Sequence, residues 1–184
     1  MLLCGVDMAN DLWRTPPEVF NTMHSEFGFL ADMACTFENR LCHIGFDESM
    51  NSLSFKWADR CLGLSENIAA KYVWCNPPYS NIKPWVEKAI EAQRDGLGTV
   101  MLLNQDTSCG WFYKALHYVS EIRYITGSED EGGKFSGGRL AFIGEDGKPV
   151  SGNNKPQFIL VFNPFKIGAQ VTSYVTKDEL MSVK

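Results

Sequence analysis

Residues 71–104 read KYVWCNPPYSNIKPWVEKAIEAQRDGLGTVMLLN, and the order of their parts decides the fold. An apolar run ending at Cys75 meets Asn76-Pro77-Pro78-Tyr79. Proline lacks an amide hydrogen and fixes φ, so a Pro-Pro step ends a strand and holds its neighbours in a stiff, extended path. Ile82, Trp85, Val86, Ala89 and Ile90 then recur at helical spacing before Gly96 stops the helix. GTVMLLN (98–104) is a continuous apolar run, as in a strand buried on both faces.

Working outward, TSCGWFYKALHYV (107–119) reads as a helix and EIRYI (121–125) as a strand, so residues 71–125 alternate strand, helix, strand, helix, strand. Such alternation needs crossover connections, which predicts an α/β fold with a mostly parallel sheet between two helical layers. RLAFIGEDGKPVSGNNKPQFILVF (139–162) reads as two strands joined by a loop rich in Gly, Asn and Pro, hence an antiparallel C-terminal edge. The core spans about residues 11–163 of one domain, and the chain after Pro164 reads as a tail or docked appendage. Upstream, TPPEVFNTMHSEFG (15–28) predicts a helix capped by Thr15 and a Thr-x-x-Glu box, with Gly28 as its stop. FLADMA (29–34) follows as a strand carrying Asp32 at its carboxyl end. Residues 35–70 have no sustained period, with room for one or two short strands.

A chain of 184 residues, 45% hydrophobic, suffices for one sizeable core. No apolar run reaches the roughly 18 residues of a membrane span, and the start carries an acid where a leader carries basic residues, so the expectation is a cytoplasmic chain without membrane contact. The six cysteines form no C-x-x-C pair, and Cys35, Cys42 and His43 lack a matching second pair, so no metal is expected. His24, His43 and His117 suggest no triad. A net charge of −5 argues against a non-specific polyanion binder. Trp85, Trp111, Phe112 and Tyr113 read as core packing.

In an open parallel sheet, ligands bind beyond the carboxyl ends of the strands. Asp32, Asn76 to Tyr79, and the NQDTS stretch (104–108) all sit at such ends and would share one rim. The Asn76 side-chain oxygen and the Pro77 carbonyl are two acceptors on a stiff backbone, able to hold both hydrogens of an exocyclic amine. Tyr79 offers a flat face for a base. An amine held this way keeps its lone pair less delocalised into the ring and can attack an electrophilic carbon in line; such positioning is worth up to about 7–11 kcal/mol in favourable systems.

These residues bring a family into view. NPPY after an apolar strand resembles the motif of S-adenosylmethionine-dependent amino-methyltransferases. Together with DLWRTPPEVF, EFGFLADMAC, NRLC, DTSCGWF and GGRLAF, in that order over about residues 11–163, it resembles the short phage-type DNA N-6-adenine methyltransferases. The resemblance implies a Rossmann-like class I methyltransferase fold, S-adenosylmethionine as donor, adenine in duplex DNA as acceptor, and a phage-encoded enzyme whose methylation shields DNA from restriction. It implies that Asn76, Pro77, Pro78 and Tyr79 hold the target adenine. Asp32, Trp13, Thr15, Pro16 and Ala34, with Asn76, would contact the cofactor. Ser80, Asp106, Thr107 and Ser108 would face the substrate. Direct displacement at sulfonium needs no metal.

Reaching a paired base means flipping it out, and Lys134, Arg139, Lys148 and Lys155 are the candidate phosphate contacts, although acids share their loops. No space is left for a separate target-recognition domain, and a monomer or weak dimer is expected. The chain departs from many methyltransferases in having no glycine between Asp32 and Gly45. The same chemistry would also serve cytosine N4, an RNA adenine or a protein glutamine, and a catalytically silent DNA-binding protein could keep the fold.

Overall fold

The computed structural model describes residues 11–66, 71–150, 152–165 and 168–183; Cys4 and the rest of the first ten residues lie outside it. In chain order, α1 (Pro17–Phe27) leads into β1 (Phe29–Asp32), and a short helix α2 (Trp57–Cys61) precedes β2 (Tyr72–Cys75). Then come α3 (Lys83–Arg94), β3 (Gly98–Asn104), α4 (Gly110–Leu116) and β4 (Glu121–Thr126). The chain finishes with β5 (Ser128–Glu129), β6 (Phe135–Ser136), β7 (Gln157–Phe162), β8 (Val171–Thr176) and α5 (Lys177–Leu180).

One sheet of six strands runs in the order β1-β2-β3-β7-β4-β8, and β5 pairs with β6 in a separate hairpin. β1, β2 and β3 are mutually parallel, as is the β4–β8 pair. The expected antiparallel edge is corrected: β7 runs antiparallel between β3 and β4, inside the sheet. All six residues of QFILVF are buried, as an interior strand requires. The edge is β8, which is largely exposed, so residues expected to form a tail supply the last strand. Residues 139–144, expected as a strand, make only isolated bridges, from Ile143 to Arg14 and to Pro149. The backbone-to-backbone hydrogen bonds of Phe142, Ile143 and Gly144 go to Arg14 and to their own turn, and the Leu140 amide reaches the sheet only through the Gln157 side chain.

Alternation across the strands divides the core in two. Val100, Leu102, Ile159 and Val161 meet α1 and α5 through Val19, Phe20, Met23 and Leu180 on one face. Met101, Leu103, Phe158 and Leu160 meet α2, α3 and α4 through Trp57, Val86, Ile90 and Phe112 on the other. Tyr113, expected in the core, is exposed at the surface of α4. Gly28, with φ of 62°, closes α1 as expected. Thr15 does not cap it: Pro16 takes the N-cap position, which leaves the Thr15 hydroxyl one residue too early to reach the free amides. The capping box of this chain lies instead at Thr176 and Glu179.

Candidate active site

The carboxyl ends of β1, β2 and β3 lie on one rim, as parallel register demands, and the amino end of β7 joins them because Gln157 pairs with Asn104. A cleft of about 650 Å³ opens at the β1–β2 end of this rim. Trp13, Thr15, Asp32, Ala34, Asn76 and Pro78 all line it, bringing together six of the residues singled out in the sequence. Pro16 and Pro77 are buried beside it.

A bulge in β1 is what delivers Asp32. Phe29 pairs with Tyr72 but Asp32 pairs with Trp74, so three steps along β1 match two along β2. Without the extra residue, Asp32 would face opposite to Phe29; with it, Asp32 comes round to the side of Trp74. The carboxylate there is almost fully buried, at 3% exposure. Its Oδ1 accepts from the Ala34 amide and its Oδ2 from the Leu41 amide, both at 3.3 Å. Burial pushes its pKa up from 3.8 to about 6, and those two amides pull the other way.

Asn76 follows β2 directly. Its Oδ1 is buried and has no hydrogen-bond partner within the protein, a state that costs about 1–3 kcal/mol until something donates to it. The Asn-Pro-Pro-Tyr turn is held from outside by the Ser80 amide, which donates to Asp11 Oδ1 at 2.9 Å. The Tyr79 ring does not line the cleft. It packs edge-on to Phe142 with centroids 6.1 Å apart, while its hydroxyl lies 3.4 Å from the Leu102 carbonyl, and burial raises its pKa.

Phe142 therefore joins two parts of the site, because Trp13 stacks on it at 5.7 Å. Two backbone bonds between Arg14 and Ile143, at 2.8 and 2.9 Å, fix residues 139–144 to the segment that forms one wall of the cleft. This arrangement explains why that apparent strand left the sheet.

The profile of the DNA N-6-adenine-methyltransferase (Dam) family matches residues 5–183. The chain belongs to that family. It is 37% identical over 176 residues to a DNA N-6-adenine-methyltransferase of Escherichia phage T1, covering 92% of this chain and 70% of the relative. It is 34% identical over 175 residues to a DNA N-6-adenine-methyltransferase of Haemophilus phage HP1, covering 92% of this chain and 89% of that relative.

The remaining candidate residues do not line the cleft. Asp106 accepts from the Ser108 amide at 3.1 Å and hydroxyl at 2.6 Å, forming a tight turn ahead of α4 that holds the Asp106 pKa below its ordinary value. Thr107 is exposed in this turn. Lys134 is exposed at the β5–β6 turn, where its amide donates to Asp130 at 2.9 Å. Arg139 borders a separate shallow depression with Phe135 and Gly138. The Lys148 amide donates to Asp146 Oδ1 at 3.0 Å in its own turn, and Lys155 lies close enough to Asp106 to act on its charge.

Sequence reasoning missed three sets of residues. Phe142 lies in the GGRLAF block, but its contacts with Trp13 and Tyr79 are long-range. Gln157 is fully buried at the start of β7, donating to Asn104 Oδ1 at 3.0 Å and accepting from the Leu140 amide at 3.3 Å, which ties the family's last block to β3. Asp47, with Asn39, lines the cleft opposite Asn76's strand. It follows a single parallel rung in which the Asp32 amide donates to Ile44 and the Phe46 amide to Asp32, both at 2.9 Å. Ser49 and the Met50 amide hold the Asp47 pKa below its ordinary value. Among the described residues, no group of three or more His, Cys, Asp or Glu side chains is arranged to hold a metal ion.

Proposed function

We propose that this chain transfers a methyl group from S-adenosylmethionine to the exocyclic N6 of adenine in DNA, on a Rossmann-like class I methyltransferase fold. The observation that carries the reading is the buried, unpartnered Oδ1 of Asn76 beside a cleft of cofactor size. An acceptor buried without a donor fits an incoming N–H, and an adenine flipped from the duplex brings one. Asn76 and the Pro77 carbonyl then hold the amine, and the prolines keep the two acceptors from relaxing away.

The residues around the cleft also suit the donor. S-adenosylmethionine, when bound, supplies an electrophilic methyl on a sulfonium; the protein's part is to fix it and exclude water. Asp32 and Asp47 are acceptors for an amine and for hydroxyls, while Trp13, Phe46 and Trp85 give apolar wall. To Asp106, Ser108, Lys134 and Arg139, which lie outside the cleft, we assign contact with the opened duplex. We read the methylation as phage-borne protection of DNA against restriction.

The test is transfer of labelled methyl from S-adenosylmethionine to unmethylated duplex DNA, with nucleoside analysis of the product and RNA and protein as competing acceptors. Label in N6-methyladenine is expected. Asn76→Ala should retain the fold and lose at least about 100-fold in turnover, the scale of losing one preorganised partner of the reacting group. Turnover close to that of the unaltered chain would sink the mechanism.

A further inference from the structure

Among the described residues, three buried side-chain polar atoms lack a hydrogen-bond partner: Asn76 Oδ1, Trp74 Nε1 and Thr99 Oγ1. Thr99 sits at the amino end of β3, paired with Val73 and Phe162, away from the rim. The other two belong to residues that line the cleft. They are two positions apart on an extended chain, which places them toward the same side of β2.

Trp74 is fully buried, and its neighbours leave its N–H nothing to bond. Phe20 meets the indole edge-on at 5.8 Å and Phe29 packs obliquely at 5.4 Å, both apolar rings. Its backbone carbonyl, by contrast, accepts from the Met33 amide at 2.9 Å. The other buried indole treats its N–H differently: Trp57 Nε1 donates to the Ser52 carbonyl at 2.8 Å. An indole N–H is a donor only, so an orphaned one can be satisfied solely by an acceptor brought from elsewhere. A phenylalanine would fill much of the same apolar space without that penalty.

We propose that Trp74 is a ligand-binding residue whose Nε1–H donates to a ring-nitrogen or carboxylate acceptor of the ligand in the cleft, complementing Asn76 as acceptor. The inference rests on the methyltransferase reading above. Two sources fit the shared chemistry. Adenine carries a ring-nitrogen acceptor directly beside its N6 amine, so Asn76 and Trp74 together would match one edge of the base. Trp74 is also the register partner of Asp32, so an acceptor on the cofactor would lie within the same neighbourhood. In either case Trp74 acts by binding and not by proton transfer.

The experiment follows the indole N–H resonances of the ¹⁵N-labelled full chain. The Trp74 signal is assigned by its loss in Trp74→Phe or, if that variant fails to fold, by elimination using Phe variants of the other tryptophans. Ligand binding is measured in parallel by calorimetry. A downfield move of the Trp74 proton with S-adenosylhomocysteine alone assigns the acceptor to the cofactor; a move only when adenine-containing duplex is added assigns it to the base. The hydrogen-bonded Trp57 signal serves as the stationary reference. In a folded Trp74→Phe variant, affinity for the responsible ligand should fall about tenfold. Both ligands bound with the Trp74 signal unmoved would overturn this inference alone. Failure of both to bind would overturn the methyltransferase reading along with it.

Discussion

Asp32→Asn tests the site through a quantity that is independent of turnover. Burial holds the folded carboxyl near pKa 6 against an ordinary 3.8. That gap corresponds to about 3 kcal/mol, to order of magnitude. Below the ordinary value, folded and unfolded chains both keep the proton, and the burial of Asp32 carries no ionisation penalty. Between 3.8 and about 6 the unfolded chain ionises first and binds fewer protons, so stability falls as pH rises through this window. Above it the full penalty persists.

Asparagine has no charge to bury, but it keeps only one acceptor for the amides of Ala34 and Leu41, a loss of about 1 kcal/mol. The variant should therefore be more stable than the unaltered chain by about 2 kcal/mol near pH 8 and within about 1 kcal/mol of it near pH 4. Urea denaturation of the ligand-free proteins at both pH values reads this directly. S-adenosylhomocysteine should bind Asp32→Asn about 10- to 100-fold more weakly, the scale of a hydrogen bond to a charged group. An Asn variant no more stable near pH 8, or a difference that does not change with pH, would refute the claim that a costly buried carboxylate is kept for the ligand.

Phe142→Ala should cost about 3–5 kcal/mol of stability from lost packing, measured by urea denaturation. Because the ring supports both Trp13 and Tyr79, cofactor affinity and turnover should fall together in that variant. A side chain at Gly138 would place Cβ 2.3 Å from the Thr126 carbonyl carbon, so Gly138→Ala must shift the β5–β6 hairpin. Titrations should show weaker DNA binding with cofactor affinity within about twofold, since the substitution leaves the cleft untouched.

Much of the site was legible because its parts carry local signatures. The Pro-Pro step marks where β2 ends, and helical spacing from Ile82 to Ile90 forces the crossover that makes β2 and β3 parallel. Parallel strands in turn bring Asp32 and Asn76 to one rim. What was not legible depends on pairing between distant segments. The interior place of β7 was hidden because the run preceding it, residues 139–144, looked equally strand-like and bonds instead to Arg14. The bulge that turns Asp32 toward Trp74 has no glycine or proline to mark it. The rung at Gly45 is one residue long, too short to leave a period that would point to Asp47.

The missing glycine-rich turn after β1 has a structural counterpart that limits which ligands the cleft can take. Such a turn usually exposes amides to a phosphate at a helix end. Here the only glycine nearby, Gly45, serves contact within the protein: a Cβ there would lie 2.6 Å from Cys35 Sγ and 3.0 Å from Arg40 Cβ. The loop at residues 35–40 can thus settle against the Gly45 rung, and the amides of Ala34 and Leu41 turn to the Asp32 carboxylate. These two amides are thereby spent on the carboxylate and are not left for an anion. With Asp32, Asp47 and Glu48 lining this part of the cleft, its chemistry favours amines and hydroxyls and repels phosphate. A nucleoside sulfonium with an amino acid tail brings positive charge and an amine to this wall, whereas a nucleotide shares its ribose hydroxyls but brings the negative charge of its phosphates. Adenosine diphosphate should therefore compete with S-adenosylhomocysteine at least about tenfold more weakly than adenosine does, as read by displacement calorimetry; equal competition would mean that cationic groups outside this acidic wall hold the ligand.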